Sequence, residues 1–121
     1  MTALQNRAHE ERPWGAFDRF TLNELSTVKI ITLKPNEELS LQRHQKRAEF
    51  WRIISGTGTV TVDNDITPAA AGDEFYIDSG LAHRATSGND GLVFLEISLG
   101  TFEEHDEERL EDKYGRGSPT P

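Results

Sequence analysis

Cysteine is absent from this sequence, and methionine occurs once. Without thiolates the chain can form no disulfide and offer no sulfur metal ligand, so any metal site must use histidine, carboxylate, amide or carbonyl groups. Long hydrophobic runs are also lacking, since no apolar stretch approaches the roughly 20 residues that a membrane-spanning helix needs. Residues 1–15 have no apolar core of a signal peptide. We therefore expect no membrane association and a cytoplasmic location.

Positive charge is scarce as well. The chain has 13 Lys and Arg against 21 Asp and Glu, which gives a formal net charge of -8. Nucleic-acid binding depends on neutralising phosphates with a basic surface, so we expect no nucleic-acid partner. Seven of the ten residues in 103–112 are acidic. That run predicts a solvated helix or turn, and it is the only candidate helix.

Short apolar runs rich in Val, Ile, Thr, Phe and Tyr alternate with Gly, Pro, Asn and Asp turns. Such punctuation predicts an all-β sandwich or barrel. The length suits a single domain, 1–121, with flexible ends at about 1–10 and 117–121. Apolar residues on both faces of 28–33 predict an inner strand. The predicted strands are residues 16–21, 26–34, 48–55, 58–63, 73–78 and 92–99.

The stretch SLQRHQKRAEFW carries the first candidates for a metal site. Gln42 and His44 are two residues apart and share one face of a strand, and Glu49 opens a run that can face the same interior. His83, in YIDSGLAHR, is the fourth candidate. Two nitrogen and two oxygen ligands suit a divalent ion, with Zn first and Co, Mn, Fe or Ni as alternatives. Taken singly, each of the four is equally consistent with a surface or capping role.

An ordered set of motifs extends over most of the chain. Its segments are ERPWG (11–15), VKIITLKP (28–35), LSLQRH (39–44), RAEFW (47–51), SGTGTVTVD (55–63), GDEFYIDSGLAH (72–83) and EDKYGR (111–116). The set resembles the cupin domain of type II phosphomannose isomerases, which in larger relatives follows a mannose-1-phosphate guanylyltransferase. The chain departs from the family at Gln45, Lys46 and Phe50, where histidines are usual.

This resemblance implies a cupin double-stranded β-helix (jelly-roll) barrel. It also implies a metal-dependent interconversion of mannose 6-phosphate and fructose 6-phosphate. Carried over position by position, the implied metal ligands are Gln42, His44, Glu49 and His83. Since cupins commonly pair through sheet edges, we expect a homodimer by analogy of fold.

Aldose–ketose isomerisation moves a proton between C2 and C1, so a proton carrier is needed beside the metal. Lys29 is one candidate, because burial within its apolar strand would favour the neutral amine; the alternative is a strand-edge lysine that reaches solvent. Arg84 is the second, but beside His83 it faces the site only if the strand is irregular. A phosphate also needs cations, and aromatic side chains could close the pocket mouth. The candidates for substrate binding are Arg12, Trp14, Arg47, Arg109, Tyr114 and Arg116.

Two other functions fit the same residues. One is a non-catalytic module that binds a sugar phosphate or a nucleotide sugar, which the departures at 45, 46 and 50 favour. The other is a metal-dependent dioxygenase, a reaction that typically draws on more histidines than this site offers. The amide of Gln42 counts against the second.

Overall fold

The structure is a computed structural model, and it describes residues 4–114. These residues form nine strands and no helix, so none of them belongs to a helix that could cross a membrane. The strands are β1 (Ala8–Arg12), β2 (Gly15–Arg19), β3 (Ser26–Leu33), β4 (Leu41–Arg43), β5 (Arg47–Val62), β6 (Asp65–Ala70), β7 (Glu74–Ile77), β8 (His83–Gly100) and β9 (Glu108–Glu111).

Strands β5 and β8 form the backbone of the fold. They pair antiparallel along most of their length, from Arg47 opposite Gly100 to Val62 opposite His83. The seven-stranded sheet has the order β6-β5-β8-β4-β9, with β3 added to β8 and β7 added to β5. Strands β1 and β2 form a separate hairpin.

Strand β5 bends where the sequence analysis predicts a break. Its register shifts between Ile53 and Ser55 and again between Gly56 and Gly58. Gly56 has φ +85°, and a Cβ there would lie 2.2 Å from the Gly91 carbonyl oxygen, so no other residue fits. The two predicted strands 48–55 and 58–63 are therefore one bent strand that curves the sheet around its interior.

The interior is apolar at one end and polar at the other. Ile53 faces Phe94 and Leu33 faces Leu92 across the strand pairs, and these side chains are buried. Toward the other end of the same strands, Glu49 lies opposite Ser98. The polar and charged residues that are buried include Ser40, His44, Arg47, Glu49, His83, Glu96 and Ser98. Burying so many polar groups together is costly, which marks this end as the candidate site.

The acidic run, residues 103–112, contains a turn and a strand, so the expectation of a turn is met and the candidate helix is wrong. Residues 104–105 form a turn and Glu108–Glu111 form β9, which pairs with β4. Tertiary contacts decide the outcome, because Glu108 pairs with Arg43 and Glu103 with Lys46 on the neighbouring segment. A helix would instead have placed like charges side by side.

Two further expectations need correction. Strand β3 is not buried on both faces, because Val28 is 58% and Ile30 65% exposed on its outer face. Residues 8–10, expected to be part of a flexible end, belong to β1 and pair with β2 around a turn that begins after Arg12. The expected flexible segment 117–121 lies outside the described residues.

The β1–β2 hairpin is held against the outer face of the barrel. The Phe20 ring packs against Phe50 at a centroid distance of 5.4 Å. Glu74 accepts hydrogen bonds from the guanidinium groups of Arg7 and Arg52, and one Arg7–Glu74 bond measures 2.8 Å. The hydrogen bond from Arg7 lowers the pKa of the Glu74 carboxyl.

Replacing Glu74 with Gln should lower the free energy of unfolding by about 1 kcal/mol at pH 7, because the paired charge is lost. The pKa of Glu74 is lower in the folded state than in the unfolded state. The ion pairs of Glu74 therefore stabilise the fold fully at a pH above the ordinary glutamate pKa, and this stabilisation disappears as the pH falls through the lowered pKa. Urea unfolding between pH 7 and pH 3 measures the difference. Glu10→Gln, in an exposed pair on the same hairpin, is the control. An unchanged unfolding midpoint for Glu74→Gln would mean that the bonds from Arg7 and Arg52 to Glu74 do not stabilise the fold.

Candidate metal centre

Three strands bring the implied ligands together. Gln42 lies on β4 opposite His83, the first residue of β8. His44 follows β4 directly, and Glu49 lies near the start of β5. The short connection between β4 and β5 and the pairing of β4 with β8 therefore bring together four residues that are spread over about a third of the sequence.

His44, Glu49 and His83 form a compact buried cluster whose ligand atoms all lie within 4.8 Å of one another. The Nε2 atom of His44 is 3.4 Å from one Glu49 carboxylate oxygen, and the Nε2 atom of His83 is 3.3 Å from the other. All three side chains are at most 3% exposed.

Backbone carbonyls fix the orientation of both imidazoles. The Nδ1 of His44 donates to the Asp106 carbonyl at 2.7 Å, and the Nδ1 of His83 donates to the Leu81 carbonyl at 2.9 Å. Since a carbonyl can only accept, the proton of each neutral ring lies on Nδ1 and the Nε2 lone pair is left facing Glu49. Two oriented imidazoles with a carboxylate fit a divalent cation such as zinc.

The charges of the cluster are coupled. Burial opposes ionisation of Glu49, but the hydrogen bond that His83 Nε2 donates when that imidazole is protonated, and the charges of His83, His44 and Arg47, outweigh it and lower the pKa of the carboxyl. Burial also disfavours the charged form of His83, but the bond to Glu49 and its charge raise the pKa of that imidazole. For His44, burial prevails and lowers the pKa.

Two members of the cluster, His44 and Glu49, lie on the wall of a small cavity of about 130 Å³, and His83 contacts Glu49 from behind that wall. Gln42 lines the cavity together with them, and its role as a metal ligand stays a prediction. The full lining is Lys29, Ile31, Leu39, Gln42, His44, Arg47, Glu49, Trp51, Glu96 and Glu107.

Glu96 is a site residue that the sequence analysis missed. It is 6% exposed, lines the cavity, and lies opposite both Trp51 and Lys29 in the sheet. Burial, reinforced by the nearby charge of Glu49, raises the pKa of its carboxyl. The available signal was a lone glutamate inside the apolar strand LVFLEISL, which parallels Lys29, the one lysine in VKIITL.

Two predicted cations line the cavity and a third lies near it. Arg47 is buried, donates to Glu49 at 3.3 Å and has Nη2 3.5 Å from His44 Nε2. Lys29 is exposed at the mouth, so the burial on which its candidacy as a base depended is absent. Arg109 lies opposite Gln42 on β9 and pairs with Glu107, a lining residue, at 2.7 Å.

Arg84 does not line the cavity. Its guanidinium donates to the Leu39 carbonyl and forms ion pairs with Glu38 and Glu111, each at 3.1 Å. The strand is regular at His83, so adjacent side chains alternate and Arg84 points to the other face. It holds β8 to the neighbouring loop and to β9, and we drop it as a catalytic candidate.

Three other candidates for substrate binding, all within the described residues, are not part of the cavity lining. Arg12 and Trp14 lie at the tip of the β1–β2 hairpin, where Arg12 pairs with Glu10 and Trp14 is 73% exposed. The Tyr114 hydroxyl donates to Glu37 at 2.7 Å, which ties the end of the described chain to a surface loop. Arg116 lies outside the described residues.

The departures from the family pattern lie away from the cavity wall. Gln45 and Lys46 are exposed, and their backbone N–H groups donate to the two Asp106 carboxylate oxygens at 2.8 Å. Phe50 faces outward and packs against Phe20. None of the three substitutions changes a lining residue.

Asp106 is a second residue that the sequence analysis missed. Its carboxylate accepts from Gln45 and Lys46, and its carbonyl accepts from His44. One residue of the acidic run therefore fixes both the β4–β5 connection and the orientation of a candidate ligand. No sequence signal distinguishes it from its acidic neighbours.

The nine-stranded fold and its buried histidine–carboxylate cluster define a cupin of the double-stranded β-helix class. Oxalate decarboxylase from Bacillus subtilis superposes on this chain with a TM-score of 0.66 at 25% identity. The superposition covers 89% of this chain and 31% of the oxalate decarboxylase chain. A double-stranded β-helix protein from Klebsiella pneumoniae superposes with a TM-score of 0.59 at 25% identity, covering 65% of this chain and 70% of the other.

Within that class, the chain belongs to the mannose-6-phosphate isomerase C-terminal family, which it matches over residues 2–112. It is 40% identical over 116 residues to the mannose-1-phosphate guanylyltransferase of Escherichia coli, and 41% identical over 114 residues to the alginate biosynthesis protein AlgA of Pseudomonas aeruginosa. Each alignment covers 93% of this chain and 24% of the relative. The chain thus spans about a quarter of the length of these relatives.

Removing the imidazole of either His44 or His83 should abolish metal binding at this site. We expect His44→Ala and His83→Ala to lower bound cobalt from about one ion per chain to nearly none, because the site loses one of its two nitrogen ligands. Cobalt absorption spectra and metal analysis after dialysis measure this. His9→Ala and His105→Ala are matched controls, since neither ring belongs to the buried cluster. Full cobalt occupancy in either test variant would exclude that residue as a ligand.

Asp106→Ala should weaken cobalt affinity by about 10–100-fold, because the loop and the His44 ring lose their fixed positions. Competition with a chelator gives the dissociation constant. Glu103→Gln removes a charge from the same acidic run but only one exposed pair, so it should bind cobalt normally. Equal affinity in both variants would mean that Asp106 does not position the site.

Proposed function

We propose that this chain is a metal-dependent isomerase that interconverts mannose 6-phosphate and fructose 6-phosphate. The observation that carries the proposal is the pair of Nε2 atoms beside Glu49, a carboxylate that lines a cavity which also presents cations. Membership of the family and the sugar-phosphate chemistry in the relatives' names support it.

The proposed cofactor is a divalent cation, with Zn first and Co, Mn, Fe or Ni as alternatives. Gln42, His44, Glu49 and His83 would hold it, and when bound it would polarise the sugar oxygens at C1 and C2. The hard and borderline donors of this set suit such ions.

The reaction removes a proton from C2 of the aldose and returns one to C1, while the hydroxyl proton moves between O1 and O2. Glu96 is the lining residue best placed to carry the carbon-bound proton, because its carboxyl lies inside the cavity next to the ligand cluster. Lys29 is less suited to this role than Glu96, because its side chain is exposed to solvent. Trp51 closes the inner wall and keeps water away from the reacting carbons.

The alternative of a non-catalytic binding module makes a different demand on the site. A module would need only the cations and the cavity, whereas the cluster and Glu96 are superfluous to binding alone. The dioxygenase alternative would require consumption of oxygen with Fe(II).

The proposed substrate is charged and does not cross a membrane unaided, so the proposal also assigns a cytoplasmic location. A homodimer stays a prediction.

The direct test is a coupled assay for fructose 6-phosphate formed from mannose 6-phosphate by metal-reconstituted protein. A chelated sample serves as the control. Turnover that requires Zn or Co under anaerobic conditions supports the isomerase. Tight mannose 6-phosphate binding without turnover, with every metal offered, would establish the binding module instead.

Glu96→Gln should lower kcat by about 10²–10⁴-fold, since the amide keeps the shape of the side chain but cannot accept a proton from carbon and return it. Cobalt stoichiometry should stay at its original value, which separates proton transfer from loss of metal. Glu104→Gln, exposed on the acidic run, is the matched charge control. If Glu96→Gln keeps kcat, another group moves the proton.

A further inference from the structure

Phe102 is in contact with two of the cavity's cations. The Lys29 Nζ lies 4.4 Å from the centroid of its ring, and the Arg47 Cζ lies 4.3 Å from it. The two cations come from different strands, β3 and β5, and both line the cavity. A phenyl face attracts cations through its quadrupole, so one ring stabilises two charges that would otherwise repel each other.

Lys29 differs from the other cations in and near the cavity. Arg47 is paired with Glu49, Arg109 with Glu107 and Lys46 with Glu103. Among the described residues Lys29 forms no ion pair within 4.0 Å, and its Nζ lies over the Phe102 ring, on the strand position opposite Glu96. An exposed amine held over a ring at a cavity mouth is accessible to an anion.

Arg47 has donors to spare. Its Nε donates to Glu49 and its Nη1 to the Glu103 carbonyl, each at 3.3 Å, while Nη2 lies beside His44. A guanidinium has five N–H groups, so the remaining ones can donate to a ligand. The fork is immobilised by these contacts, which lowers the entropy lost when an anion binds.

We propose that Lys29 and Arg47 form a phosphate-binding subsite at the mouth of the cavity, and that Phe102 positions both cations. The subsite rests on the proposed function in that it takes the phosphate of a phosphorylated sugar, whose carbon chain then extends toward the metal ligands. A phosphate dianion matches two cations from separate strands better than a neutral sugar hydroxyl does. Lys29 is then a substrate-binding residue rather than a base.

Titration calorimetry of the metal-loaded chain with inorganic phosphate, and with mannose 6-phosphate, tests the subsite. Lys29→Met should raise both dissociation constants about tenfold, and Phe102→Leu about threefold, because a leucine fills the space but has no π face. Phe102→Tyr retains the ring and should bind both within twofold of the original. Lys34→Gln, which removes the same charge from a residue just after β3 that does not line the cavity, is the control.

A second readout separates positioning from simple structural damage. If Phe102 acts through the cations, Lys29→Met and Phe102→Leu raise KM for mannose 6-phosphate with kcat within about twofold, and the double variant loses less than the product of the two single losses. Unchanged phosphate affinity in Phe102→Leu, or an equal loss in Lys34→Gln, would overturn the subsite.

The two proposals fail differently. A chain that binds phosphate in this pattern but never forms fructose 6-phosphate keeps the subsite and refutes the isomerase. Active enzyme whose KM is the same in Lys29→Met and Phe102→Leu keeps the isomerase and refutes the subsite.

Discussion

The buried Glu49 carboxylate is the group on which the polar end of the barrel depends. A carboxylate removed from water costs several kcal/mol unless neighbours replace its solvation. The Trp51 indole donates to one oxygen at 3.1 Å and Arg47 to the other at 3.3 Å, while the imidazoles of His44 and His83 flank both. Trp51 also packs on the core ring of Phe94 at 4.5 Å. The same tryptophan therefore couples the apolar core to the geometry of the site.

The pairing of β5 with β8 determines which side chains share this environment. Glu49 lies opposite Ser98 and Trp51 opposite Glu96, so alternate residues of both strands point inward. A slip of one residue would turn Glu96 outward and bring Leu95 to the ligand cluster. The bends at Gly56 and Gly58 leave this register undisturbed, because they lie toward the apolar end of the strands.

The members of the His44–Glu49–His83 cluster could be predicted from the sequence, because both the residue types in their segments and the family resemblance point to them. Whether Gln42 is a ligand stays a prediction. Residues whose proposed role depends on what lies across the sheet could not be found in this way. Glu96 and Phe102 are examples, since the contacts that single them out come from other strands.

The same limit explains the wrong assignments. Arg84 was chosen for its position beside a ligand, yet a regular strand sends adjacent residues to opposite faces. The acidic run looked like a solvated helix because its cationic partners, Arg43 and Lys46, lie far away in the sequence. The outer face of β3 was expected to be buried because Val28 and Ile30 are apolar. In the described part of the chain no other element packs on them, and the sequence gives no sign of this.

The arrangement implies a link between ligand binding and folding. Folding must desolvate the carboxylates and imidazoles of the polar end, and the apolar end supplies the burial that offsets this cost. A cation held by the folded cluster and not by the unfolded chain would shift the equilibrium toward the folded state by mass action. Asp106 belongs to the same balance, since its carboxylate satisfies backbone groups of the ligand-bearing loop and its carbonyl orients His44. The acidic run is therefore part of the architecture of the site, although it contributes no ligand to the cluster.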